Sequence, residues 1–237
     1  MIPSIVNLII PYRDNHPEQR RAEQLAEFIP YMKEYLKDVP HRFYVIEQSE
    51  DGKLFNRGAL LNYGFKLATE MSAQSVNDAF IFHDVDLLPD SDLKEWYTVP
   101  PKQVVYHIAA VKGNRYLSDK GGLGGIVNFR MEDYQATNGH PNNFGWGDED
   151  NELRRRVNDC RLTITRPNKG SITDLENLTL SEKLTYLKTN ELKNPFRKEG
   201  KITHISTWHK NGLNSMVGRI VSIEMDENVI HQNIEIM

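Results

Sequence analysis

"NDAFIFHDVDLLPD", residues 77–90, decides how the chain is read. Its apolar run, built on Phe80, Ile81 and Phe82, has the length and composition of a buried strand and runs straight into Asp84 and Asp86. Upstream, "SIVNLIIPY" (4–12) and "HRFYVIEQ" (41–48) read as two more strands. Between them lie stretches of helical spacing. Residues 16–37 carry Leu25, Phe28, Ile29 and Met32 on one face, with a break expected at Pro30. Residues 56–71 place Leu60, Leu61, Gly64, Phe65 and Ala68 together.

Strand, helix, strand, helix, strand implies right-handed βαβ units and a mainly parallel α/β sheet flanked by helices. Ligands of such sheets bind outside the carboxyl ends of the strands. That rule singles out Pro11-Tyr12-Arg13, Glu47-Gln48 and Asp84-Val85-Asp86 as neighbours around one crevice.

Downstream, "QVVYHIAAV" (103–111) and the strand entered through "GGLGG" (121–125) extend the sheet. "RMEDYQAT" and "DNELRRRVND" read as short helices, "RLTITRP" as a strand, and "TLSEKLTYLKTNEL" as a helix capped at Thr179 or Ser181. The last 24 residues alternate like a hairpin at the sheet edge. With no repeat or flexible linker, a single domain over 1–237 is expected, with a small C-terminal β element.

Composition narrows the function. A net charge of −4, with acids and bases interspersed, argues against binding nucleic acid or an anionic membrane through bulk charge. The N-terminal apolar run is broken by Pro11, so no membrane span is expected there. Cys160 is the only cysteine, which fits a reducing, cytoplasmic compartment.

Chemistry concentrates at three places. As neighbours on an extended strand end, Asp84 and Asp86 would face one side, one positioned for a hard divalent cation and the other for ligand. Mn²⁺ or Mg²⁺, held through carboxylates and substrate phosphates, suits that pair. Arg13 and Arg57 are candidate phosphate contacts. "NGHPNNFGWGDEDNE" (138–152) sets Trp146 between two glycines just before a run of acids. The acids suit a helix N-terminus, and equally a general base beside a surface on which a sugar ring stacks.

Together these segments resemble the β-1,4-galactosyltransferase family (glycosyltransferase family 7, GT-A fold). "IIPYR" (9–13) is similar to its P-F-R donor motif, "LFNRGALLNYGF" (54–65) to F-N-R-A-K-L-L-N-V-G-F, and "FIFHDVDLLP" (80–89) to F-V-F-S-D-V-D-L-I-P. Residues 138–152 resemble N-G-F-P-N-N-Y-W-G-W-G-G-E-D-D-D, and "ITRPN" and "GLNS" follow in the family's order.

The resemblance implies an inverting, metal-dependent hexosyltransferase that moves galactose or N-acetylgalactosamine from a UDP-sugar to a carbohydrate acceptor. It implies Asp86 as metal ligand and Asp150 as catalytic base, with Glu149 beside it. Pro11, Arg13, Phe55, Arg57, Asp84, Val85 and Lys112 would line the UDP-sugar site, with Gly125 and Trp146 where donor and acceptor meet.

The chain departs from the pattern at several points. Asn151 replaces an acid, Asn15 an arginine, and Gly122 an aromatic that disfavours N-acetylated donors. The family's Met or His ligands after R-P-N are missing from "GSITDLENL" (170–178), which leaves Asp174, Glu176, His204 and His209 as candidates to complete the metal site. A single cysteine fits a bacterial or viral member. Two other readings stay open: a nucleotide-sugar hydrolase or nucleotidyltransferase on the same sheet, and a non-catalytic carbohydrate-binding domain.

Overall fold

Val6–Tyr12 forms β1, buried at every position, and its side chains alternate between two cores. Ile9 joins Tyr44, Ile46, Phe80 and Phe82 on one side of the sheet. Leu8 and Ile10 join Phe43, Val45 and Ile81 on the other. A strand buried on both faces must be central and covered by helices on both sides. This computed structural model describes residues 4–14, 19–72, 75–117, 121–176, 178–190 and 208–237.

Helix α1 (Arg21–Tyr35) covers one face and α2 (Arg57–Met71) the other. β2 (His41–Gln48) and β3 (Ala79–His83) flank β1, both parallel to it. Pro30 does not break α1 as expected. It lies on the solvent face, where the unpaired carbonyl a turn earlier can turn to water. In α2, Gly64 gives the closest approach to the sheet, since a Cβ there would stand 2.4 Å from Ile9.

Beyond β3 the direction reverses. β4 (Leu87–Pro89) leaves the main sheet, while β5 (Val104–His107) and β6 (Ile126–Phe129) join it, β6 antiparallel to β3. Two short helices follow, α3 (Met131–Ala136) and α4 (Glu149–Asp159), then β7 (Thr163–Thr165) beside β5. β8 (Ile172–Asp174) pairs with β4 in a separate two-stranded sheet, which periodicity did not foretell. α5 (Leu180–Thr189) starts from a Thr179/Glu182 capping box.

The C-terminal hairpin, β9 (Gly218–Asp226) and β10 (Val229–Ile236), closes the β2 edge. The main sheet runs β7-β5-β6-β3-β1-β2-β10-β9, mixed but parallel at its centre. Among the described residues, no helix is long and apolar enough to cross a membrane.

Candidate active site

The carboxyl ends of β1 and β3 open into a cavity of about 300 Å³. Pro11, Arg13, Phe55, Arg57 and Trp146 line it, together with residues 84–86 and 147–151. Glu47 and Gln48, expected at its edge, serve other ends. Glu47 pairs with His231, and the buried Gln48 amide holds the loop after β2 by bonding Asp51, the Leu54 carbonyl and the Asn56 N–H. Arg13 is likewise tied to that loop, donating to the Lys53 carbonyl at 2.7 Å and to Asp51 at 3.2 Å. Its Nε has no partner among the described residues.

Asp84 and Asp86 are not on one extended strand. β3 ends at His83, and the chain turns so that the Leu87 N–H meets the Asp84 carbonyl. The two acids therefore reach different partners. Asp84 accepts from Arg57 Nε and Nη2 at 2.9 and 2.7 Å and from the Tyr116 hydroxyl at 2.9 Å. Asp86, only 2% exposed, pairs with Arg21 and Arg115 at 3.2 and 3.3 Å.

The two-stranded sheet completes this corner. Leu87 sits opposite Asp174, and the Leu175 N–H donates to the Asp86 carbonyl at 2.7 Å. Asp86, Asp174 and Glu176 thus each bring a carboxylate oxygen within 4.8 Å of the others. Oδ1 of Asp86 is buried with no hydrogen-bond partner among the described residues. Three hard oxygen donors, one of them orphaned, fit Mn²⁺ or Mg²⁺. His209 is exposed and does not belong to this group, and His204 lies outside the described residues. Burial raises Asp86, but Arg21, Lys183 and Arg115 outweigh it and hold the carboxyl well below the usual carboxylate range. For Asp174 burial prevails over Arg115 and the proton is held more tightly than usual.

Opposite stands the start of α4. Gly145 and Gly147, at φ of +88° and +113°, bracket Trp146 in a conformation that side chains resist. The loop is fastened to α2. Gly58 lets the Pro141 carbonyl approach to where a Cβ would be 2.0 Å away, and Asn62 bonds the His140 carbonyl and Asn142 at 2.8 and 2.9 Å. The Gly147 N–H donates to Glu149 at 3.0 Å. Asp150 accepts from Arg57 Nη1 at 2.9 Å. Burial pushes the Asp150 carboxyl up to about 7; Arg57 opposes that, while Glu149 and Asp84 add to it. Glu149 is raised for the same first reason.

The glycine-rich turn packs against this acid. A Cβ at Gly122 would stand 2.5 Å from the Asp150 Cβ and 2.7 Å from its carbonyl carbon, so the position has room for no side chain. Gly125, at φ +76°, lies behind the cavity under the Tyr116 ring, and its carbonyl accepts from the Asp84 N–H. Lys112 is exposed and stands away from the cavity. Arg115, three residues on, enters instead, as do Arg21, Tyr116 and Lys183. Sequence reading missed Arg115 and Tyr116 because loop residues carry no period, and Arg21 and Lys183 because in the first turns of α1 and α5 they read as ordinary helix-surface cations. A search for basic residues beside the candidate metal acids would have raised Lys183 alone, since the other three meet those acids only in the fold.

Residues 3–99 match the family described as the N-terminal region of glycosyl transferase group 7, and residues 105–180 that described as the N-terminal domain of galactosyltransferase. Beta-1,4-galactosyltransferase 7 of Drosophila melanogaster is 37% identical over 163 residues, 68% of this chain and 47% of that protein. Xylosylprotein 4-beta-galactosyltransferase of Caenorhabditis elegans is 32% identical over 210 residues, 85% of this chain and 68% of that one. The chain thus spans about half the length of several curated relatives it matches.

Among solved structures, the catalytic domain of the Drosophila enzyme with xylobiose superposes with a TM-score of 0.76 at 30% identity, over 99% of this chain and 94% of that one. A mutant of that enzyme, in complex with manganese, UDP-Gal and xylobiose, gives 0.77 at 28%, with the same coverage of both chains.

Proposed function

The chain belongs to the glycosyl transferase group 7 family of β-1,4-galactosyltransferases, and from that premise we propose that it moves galactose from UDP-galactose to an acceptor sugar hydroxyl with inversion. One observation carries the reading. A carboxyl pushed up to about 7, Asp150, faces the same cavity as Asp86, which clusters with Asp174 and Glu176. A general base works best with a pKa near the operating pH.

Asp150 takes the proton of the acceptor hydroxyl as that oxygen attacks the anomeric carbon from the face opposite UDP. No covalent intermediate on the protein is required. Arg57 holds the base in place and ties it to the turn that carries Asp84. Trp146 offers a ring face to the sugar, and Glu149, anchored by the Gly147 N–H, orients hydroxyls. A divalent cation held by Asp86, Asp174 and Glu176 would supply the Lewis acid that neutralises charge on the departing diphosphate.

The Drosophila complexes contain xylobiose, so β-xylosides are the first acceptors to try. Gly122 presents no side chain to the donor, and N-acetylgalactosamine is the donor sugar to compare with galactose. The test is UDP release with Mn²⁺ from four donors, UDP-Gal, UDP-GalNAc, UDP-Glc and UDP-GlcNAc, each with and without xyloside and hexoside acceptors. Release from UDP-Gal stimulated by an acceptor, with glycoside formed, is the expected result. Free sugar formed at the same rate without acceptor would identify a hydrolase instead.

A further inference from the structure

Three cations of the cavity find no role in that account. Arg21 opens α1, Arg115 follows β5 and Lys183 lies in the first turn of α5. All three are largely buried, and all three are spent on the carboxylate trio. Arg21 meets Asp86 and Glu176 at 3.2 Å each. Arg115 bonds Asp174 and spans to Asp86 at 3.3 Å and Glu176 at 4.0 Å. Lys183 meets Glu176 at 2.5 Å. Three positive charges thus balance three negative ones.

Helix stability does not explain the arrangement. Arg21 and Lys183 stand at helix N-termini, where the dipole disfavours cations. The orphaned Asp86 Oδ1 shows that the balance is incomplete in bonding even where it is complete in charge. If the carboxylates take up a divalent cation, the arginines and the lysine are left as buried charges without counter-charge, which is costly. A diphosphate in the same cavity would restore both charge and hydrogen bonds, with guanidinium forks matching its oxygens.

We propose that Arg21, Arg115 and Lys183 form an exchangeable cation set, paired with Asp86, Asp174 and Glu176 in the empty enzyme and transferred to the donor's diphosphate once a metal occupies those carboxylates. The inference rests on the UDP-sugar reading above. It makes the cations competitors of the metal when no nucleotide is present and its allies when one is. Metal and nucleotide are then coupled, each tightening the other reciprocally.

The test measures Mn²⁺ binding alone, and UDP binding at saturating Mn²⁺, by calorimetry. It uses the wild type, Arg115→Gln and Lys183→Met, with thermal midpoints recorded. The two variants are expected to bind Mn²⁺ alone more tightly than the wild type and UDP at least about fivefold more weakly, within the usual span of coupling between sites. Opposite signs cannot arise from a general loss of fold. Weakening of both ligands together, or unchanged UDP affinity in both variants, would overturn the exchange. Absence of UDP binding by the wild type would instead remove the donor reading beneath it.

Discussion

Arg57 and Asp150 lie 93 positions apart in the chain and 2.9 Å apart in the fold. The same guanidinium grips Asp84, so one side chain links the acid turn after β3 to the acid at the start of α4. That fork makes two distant motifs into one site, and it lowers an Asp150 pKa that burial raises.

The first expectation concerns pH. Asp150 must be ionised to accept a proton, and its carboxyl stands at about 7. Transfer should therefore rise with pH, about tenfold per unit below 7, and level off above it. A pH–rate profile of kcat/KM checks this. A profile flat from pH 5 to 8 would remove Asp150 from the role.

Arg57 should control where that limb falls. Arg57→Met removes the charge that opposes burial, so the acid limb should move to higher pH by on the order of one unit. Arg57→Lys keeps the charge but lacks the fork that holds Asp84 and Asp150 together, and kcat/KM should fall on the order of 10–100-fold. The pair of pH profiles separates charge from geometry.

Metal dependence should follow the carboxylate trio. Chelation should abolish transfer, and Asp174→Ala or Glu176→Ala should raise the half-saturating Mn²⁺ concentration by at least the about tenfold known from lost outer-sphere partners. His209→Ala should leave it unchanged, since that side chain is exposed and outside the cluster. Mn²⁺ titration of activity decides.

Packing of the loop before α4 gives a further expectation. In Gly58→Ala the new methyl would stand 2.0 Å from the Pro141 carbonyl oxygen, so the loop at 140–142 must move. A stability loss of about 1–3 kcal/mol is typical of overpacking. The acceptor KM should rise while UDP binding persists, as urea unfolding and calorimetry would show.

Much of this was legible in the sequence because it is local. The apolar runs at 6–12, 41–48 and 79–83 name their own strands, and the acids after His83 and around Asp150 are set by neighbours a few residues away. What was not legible depends on pairing across the chain. Asp174 reaches Asp86 only because two three-residue strands, too short for any period, pair at Leu87 and Asp174. Strand alternation misjudged Asp84 and Asp86, since a turn and not a strand carries them. Arg115 enters the cavity in place of Lys112 by loop geometry, and Gln48 turns inward to hold a loop that no motif marks.

The most direct test of the central claim is Asp150→Asn. Its transfer rate should fall by at least about 10²–10⁴-fold, the usual contribution of a general base. UDP affinity with Mn²⁺ should be retained. Stability supplies an independent sign. The folded protein holds the Asp150 proton up to about 7, against about 4 in the unfolded chain. The stabilisation from protonated Asp150 is therefore full below about 4 and lost by the time pH passes about 7. A neutral amide escapes that loss, so the thermal midpoint of Asp150→Asn at pH 8 should equal or exceed that of the wild type. An inactive variant that binds UDP and is no less stable is the predicted result. Near-normal transfer by Asp150→Asn would contradict the account.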